Sequence, residues 1–392
     1  MQLKNRSRQQ ARRQRRIKAL PRASHAGTVL LTTALQMLPG LVRAEAPPDQ
    51  GVMSARYLGY QDSQPGENRI HVSASTLGVM APIAGEWSIA SNFTTDSISG
   101  ASPRYYTYDS TGRYPVMHDL RRAEDVALTR YFSQGTLTMG TSYSKESDYI
   151  SKGLSTQGTL STESHNTTLN AGFAVSNDEI NPVNHIVTNE RKHVADLLLG
   201  VTQILTPNDI AQVELGRSLG QGYFSDPYKI FDNRPRQRDH TTFLMRWNHF
   251  YDATQGVSHL SWRYYADTYG IHAHTVDGEY VQPLGGGWSL APELRFYSQS
   301  HAWFYLEPAP GSQPYPTFPP PGTAYSSLDQ RLSSFGAVTV GLRVSREIKR
   351  DWIADIKYEQ YEQRTGWSVM GNSSPLDPFR ARSVQLGLSR LF

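Results

Sequence analysis

The chain runs to 392 residues, carries no cysteine and has a formal charge of +4. Without thiols it forms no disulfide, thiolate metal centre or cysteine nucleophile. The basic balance does not point to nucleic acid: residues 1–44 hold ten Lys/Arg and no Asp/Glu, and setting them aside leaves 29 basic against 35 acidic residues.

The first element is a leader. Residues 4–22 are basic, with Arg12, Arg13, Arg15, Arg16 and Lys18, and an apolar stretch follows from Ala26 to Val42. The run closes on Val42, Arg43 and Ala44, a small-residue ending that fits signal-peptide cleavage after Ala44. The expected organisation is therefore a cleaved signal peptide over 1–44 and a single domain over 45–392. Past the leader no apolar run approaches the ~20 residues of a spanning helix. The 31 Gly and 22 Tyr favour strands and turns.

The rest alternates with period two. Phe243, Met245 and Trp247 alternate with Thr242, Leu244, Arg246 and Asn248, and Leu260, Trp262 and Tyr264 alternate with His259, Ser261, Arg263 and Tyr265. Val338, Val340, Leu342 and Val344, then Trp352, Ala354, Ile356 and Tyr358, repeat the pattern. Marking such segments in chain order gives sixteen, near 52–60, 69–80, 86–97, 122–132, 136–146, 150–162, 166–176, 190–205, 208–218, 239–251, 257–267, 271–283, 288–300, 332–345, 351–362 and 380–392. Segments of ~10–13 residues exceed the usual soluble strand and suit a tilted membrane crossing.

Connection lengths carry the topology. Every second connection is short: 81–85, 133–135, 163–165, 206–207, 252–256, 284–287 and 346–350. The alternate set holds all the long ones, 98–121, 177–189, 219–238, 301–331 and 363–379, beside the short 147–149 and 268–270. Long loops on one end only are the mark of an antiparallel up-and-down transmembrane β-barrel, here of about 16 strands (14–18). Both termini are then expected on the periplasmic side.

The C-terminus adds a further sign. Val384, Leu386 and Leu388 alternate toward a terminal Phe392, similar to the signal by which outer-membrane barrels are recognised for assembly, with Arg390 departing from the apolar rule. Several strings then look familiar as a set. They include Asp96 with Ser99-Gly100-Ala101-Ser102-Pro103, and Ser142-Tyr143-Ser144 with Glu146-Ser147-Asp148-Tyr149. Ser225-Asp226-Pro227-Tyr228-Lys229 with Arg234-Pro235, and Arg263-Tyr264-Tyr265 with Asp267, Gly270 and His274, come next. Asp329 with Arg331-Leu332-Ser333 and Phe335-Gly336-Ala337 closes the set. In order and spacing they resemble the uncharacterised bacterial family known as domain of unknown function 3570. The resemblance implies an outer-membrane protein and supplies no substrate or catalytic residue.

Charges in the second half fall on the inward parity: Arg246, Arg263, Asp277, Glu279, Glu293, Arg295, Arg343, Asp355, Lys357 and Glu359. Basic groups on the lipid face cost ~2–4 kcal/mol at mid-bilayer, so these are expected in the lumen. Two readings stand: a salt-bridge lattice stiffening the wall, or a solute pathway with selectivity. Trp247, Trp262, Trp288 and Trp352 take the outward parity of an interfacial aromatic girdle. His272 and His274, two apart on one strand, are expected at that interface rather than on a metal, and the loop acids Asp226, Asp232 and Asp239 are expected to be solvated.

Hydrolase, zincin and phosphate-loop signatures are missing, and Gly285-Gly286-Gly287 reads as a tight turn between strands. No enzyme, cofactor or metal is expected. The functional expectation is an outer-membrane channel for an unidentified solute. Its alternatives are a scaffold barrel anchoring periplasmic or extracellular partners and, third, a lipid-hydrolysing barrel. The expected partners are outer-membrane lipid, the barrel-assembly machinery, and a second copy or a periplasmic protein; nucleic acid is not among them.

Overall fold

A computed structural model describes residues 46–101, 116–229, 231–308, 318–349 and 351–392. The leader and its cleavage position after Ala44 lie outside the described residues. Sixteen strands follow one another in the chain: β1 (Val52–Gln64), β2 (Glu67–Ile83), β3 (Trp87–Ala101), β4 (Val116–Phe132), β5 (Gly135–Lys145), β6 (Tyr149–Ser161), β7 (Thr167–Ile180) and β8 (Glu190–Thr206), then β9 (Asp209–Gly222), β10 (His240–Tyr251), β11 (Gly256–Asp267), β12 (His272–Gly285), β13 (Trp288–Gln299), β14 (Phe335–Lys349), β15 (Trp352–Arg364) and β16 (Phe379–Leu391). Each pairs antiparallel with its chain neighbours, and β1 pairs with β16, so the sheet closes on itself. Closure leaves no strand edge with unpaired backbone groups, the condition for a sheet to live in lipid.

The seam is continuous from Val52↔Leu391 to Ser63↔Arg380. It extends by one more pair at the chain end, where Gly51 N donates to Phe392 O at 2.8 Å and Phe392 N donates back to Gly51 O at 3.0 Å. A twelve-residue strand at ~3.3 Å per residue runs about 40 Å, which tilted by ~40° spans roughly the ~30 Å hydrocarbon layer.

Alternation decides the two faces. Leu154, Met139, Leu128, Phe173, Leu197, Leu215, Leu260, Leu294, Val340 and Leu386 are exposed on the outside. Their chain neighbours, on the opposite face, are mostly Ser, Thr, Gly and charged residues, with Ala127, Ala174, Leu198, His259 and Gln385 among them. An exterior this apolar is a liability in water and a fit to lipid.

The strands overrun the sequence segments at the loop end. β1 extends to Gln64 rather than stopping at residue 60, and β4 begins at Val116 rather than 122. The residues added to β1, Gln61 to Gln64, are all polar, and those added to β4 mix Val116, Met117 and Leu120 with His118, Asp119 and Arg121, so apolar periodicity fades before the ladder ends. There Asp62 turns inward and accepts from Ile70 N at 2.9 Å. Seven connections at the turn end are two to five residues long, and all the long ones sit at the opposite, loop end. β1 begins and β16 ends at the turn end. Gly285, Gly286 and Gly287 all take positive φ, 83°, 59° and 78°, in the turn between β12 and β13.

Trp87, Trp288 and Trp352 begin strands at the turn end. Arg130 lies 5.3 Å from the Trp87 ring, Arg346 4.8 Å from Trp288 and Arg390 5.4 Å from Trp352. Arg390, the exception to the apolar C-terminal rule, is thus a cation laid over an interfacial ring. Nearer the loop end, Trp262 Nε1 donates to His274 Nδ1 at 3.2 Å and Tyr264 Oη bonds His272 Nδ1 at 2.8 Å, so the two histidines take separate hydrogen-bond partners on the outer face, with the Tyr264 ring beside both.

Candidate functional site: the lumen wall and its loop cap

The inward charges of the second half assemble into one belt. Arg343 stands in register with Ala291, whose small side chain lets the guanidinium reach past β13 to Glu279 on β12 at 2.9 Å. Arg295 bonds Asp277 at 3.0 Å and Glu293 at 2.9 Å. Lys357 reaches across β14 to Glu293 at 2.6 Å and contacts Glu359 on its own strand at 3.0 Å. Gly341 on β14 stands in register between Glu293 and Glu359, where a Cβ would lie 3.4 Å from each. Gly387 on β16 plays the same part between Asp355 and Arg56, which pair at 3.4 Å.

Eight of the ten residues expected from parity therefore share ion pairs with one another or with Arg56. Arg246 bonds Gln212 at 3.2 Å and Arg263 bonds Thr275 at 3.4 Å, and neither makes an ion pair among the described residues. Arg56 closes the belt across the barrel seam and was not singled out from sequence. Inward pairs in the first half were missed too: Arg121 with Asp96 at 2.8 Å, and Lys192 with Asp178 at 2.9 Å, Lys192 also donating to Tyr149 Oη. Both cations sit in charged runs, Arg121-Arg122 and Arg191-Lys192-His193, where a face is legible only once the register is known.

The loop end is capped. Asp329, in the β13–β14 connection, is fully buried and accepts from Lys229, from Arg234 at 2.9 Å and from Arg331 at 2.6 Å. Lys229 and Arg234 come from the β9–β10 connection, so one carboxylate joins two loops rooted four strands apart. Asp232 holds Arg234 at 2.6 Å, and Asp226 lies 3.4 Å from Lys229. The expectation that Asp226, Asp232 and Asp239 are solvated is thus corrected. Asp226 and Asp239 are 3% and 9% exposed, and the Asp232 side chain is shut from solvent, because each has guanidinium, ammonium or amide donors within the cap.

The surrounding cations hold the Asp329 carboxyl well below its ordinary range despite burial. Burial, with Arg331 alongside, pushes Lys229 down to about 7. An apolar nucleus lies beside this cluster: Phe224, Tyr269, Ile271, Ala302, Phe304 and Leu332.

The cap is fastened to the rim on several sides. Tyr228 Oη donates to Asp148 in the β5–β6 turn and accepts from Val183 N at 3.1 Å in the β7–β8 connection. Gln64 at the end of β1 donates to Gln330 at 3.3 Å. Ser334 bonds Ser368 at 2.8 Å, and Ser374 N donates to Glu307 at 2.9 Å, which ties in the β15–β16 connection. Chain distances between partners, from 34 to 266 residues for these side-chain bonds, are why no motif announced the cap.

Comparison with solved structures returns the same architecture. A bacterial polysaccharide outer membrane secretin matches with a TM-score of 0.51 and 8% identity, covering 87% of this chain and 98% of that one. The Pseudomonas aeruginosa protein OccK9 (OpdG) matches with a TM-score of 0.43 and 8% identity over 88% and 98% of the two chains. Vibrio cholerae OmpT gives 0.43 and 7% over 87% and 98%. At such identities the likeness is one of fold alone, that of outer-membrane barrels. No curated relative matches the chain. The model of a protein family of unknown function, DUF3570, matches residues 22–377, and the chain belongs to that family.

Proposed function

We propose that this protein is a channel of the bacterial outer membrane, with its turn end and termini in the periplasm, passing small polar solutes through a lumen gated by the loop cap. The observation that carries this reading is the ring itself: sixteen strands, apolar outside, with a belt of opposed charges inside. Barrels of this strand number leave an aqueous lumen where eight-stranded ones fill theirs with side chains. Opposed charges flanking a water path orient dipolar and zwitterionic solutes without trapping either sign.

A second reading, a scaffold barrel, is favoured by the cap, which fastens loops from several parts of the rim through buried ion pairs. Swelling of proteoliposomes in iso-osmotic solutes separates the two. The channel reading expects swelling with small sugars and amino acids that falls off with solute size. It also expects Arg343→Met with Glu279→Gln, which removes one opposed pair, to change the ranking of charged solutes several-fold. A scaffold gives no swelling above protein-free liposomes with any solute.

A further inference from the structure

Three carboxylates converge where β4 meets the β5–β6 turn. Asp119 stands near the loop end of β4, and Glu146 and Asp148 flank Ser147 in the turn. One oxygen from each lies within 4.8 Å of the others. Glu146 and Asp148 are 7% and 4% exposed. The Oδ2 atom of Asp148 accepts from the Tyr228 hydroxyl, but its Oδ1 is buried with no hydrogen-bond donor.

Buried carboxylate oxygens are almost always partnered, because water is lost and nothing replaces it. Among the described residues, the nearby strand cations are taken up elsewhere, Arg121 by Asp96 and Lys192 by Asp178.

A hard cation answers all of this. The donors are oxygens only, which excludes the softer metals that seek nitrogen or sulfur. Two oxygens at ~2.4 Å from one Ca²⁺ lie at most about 4.8 Å apart, whereas Mg²⁺ at ~2.1 Å needs them within about 4.2 Å and in strict octahedral order. Separations within 4.8 Å bring the three oxygens into reach of one Ca²⁺, whose flexible coordination takes ligands from a turn and a strand end.

We propose that Asp119, Glu146 and Asp148 form a Ca²⁺ site. The ion ties the β5–β6 turn to β4 and, through the Asp148–Tyr228 hydrogen bond, steadies the near side of the cap. The inference stands apart from the channel reading, since a scaffold barrel would use the same clasp.

The test is Ca²⁺ binding to the full-length barrel in detergent, followed by competition with a fluorescent chelator and by thermal unfolding. Saturable binding of one ion is expected, with a Kd of roughly 10⁻⁴–10⁻³ M as in extracellular calcium modules, and unfolding at higher temperature in Ca²⁺ than in chelator or equimolar Mg²⁺. Asp119→Asn should weaken binding tenfold or more, and Asp148→Asn should abolish the Ca²⁺-dependent shift. Asp252→Asn, at an exposed turn on the far end, should change neither. If Asp148→Asn does not fold, Asp119→Asn decides alone. Absence of saturable binding, an equal response to Mg²⁺, or undiminished binding by the variants that fold overturns the site.

Discussion

Small residues make the lumen belt possible. Lys357 crosses β14 to Glu293 beside Gly341, and Asp355 meets Arg56 over Gly387, where a Cβ would fall 2.3 Å from the Asp355 carboxylate oxygen. Gly387→Ala should therefore displace Asp355 and open the seam pair at little cost to the fold, since a partly exposed ion pair is worth about 0–1 kcal/mol. Gly287 is a different case. Its φ of 78° is strained for any other residue, and a Cβ there would meet the Glu347 carbonyl oxygen at 2.6 Å. Gly287→Ala should destabilise the turn by roughly 1–3 kcal/mol. The expected readout is a lower temperature for loss of the folded band in unheated gel electrophoresis; an unchanged temperature would mean that the turn re-forms without strain.

The cap is held by a few buried charges in the long connections. Asp329 faces three cations, so Asp329→Asn leaves them without their shared counterion. Breaking a buried ionic cluster in this way typically costs about 3–5 kcal/mol. The cap should loosen while the barrel remains, read as new protease cleavage within 318–334 with an intact barrel core. Protection equal to wild type would show that the apolar nucleus alone holds the loops. The same cluster sets a pH dependence. Lys229 has its folded value lowered to about 7 from 10.5, so between those values the open loops hold a proton that the closed cap has released. The closed state therefore gains stability as pH rises from about 7 to 10, and below 7 this group contributes no further slope. Protease protection of the cap should rise over that interval in wild type, and the rise should vanish in Lys229→Met.

At the scale of the whole molecule, the strands were legible and the cap was not, for one physical reason. A barrel strand writes its two environments into the chain at every second residue, so strand number, loop asymmetry and the inward places of Arg343, Glu279 and Lys357 follow from parity. The weakly patterned segment near 150–162 still forms a full strand, Tyr149–Ser161, because its neighbours supply both ladders. Asp226, Asp329 and Tyr228 meet partners far along the chain, and no local period records such meetings. Parity also failed where charges run together, which hid Arg121 and Lys192.

The most direct measurement is single-channel recording in planar bilayers, with the wild-type protein beside Asp329→Asn. Discrete current steps are expected from the wild type, and more frequent or larger ones once the cap has lost its central carboxylate. Silence from both proteins, each shown to be inserted and folded, would contradict the account.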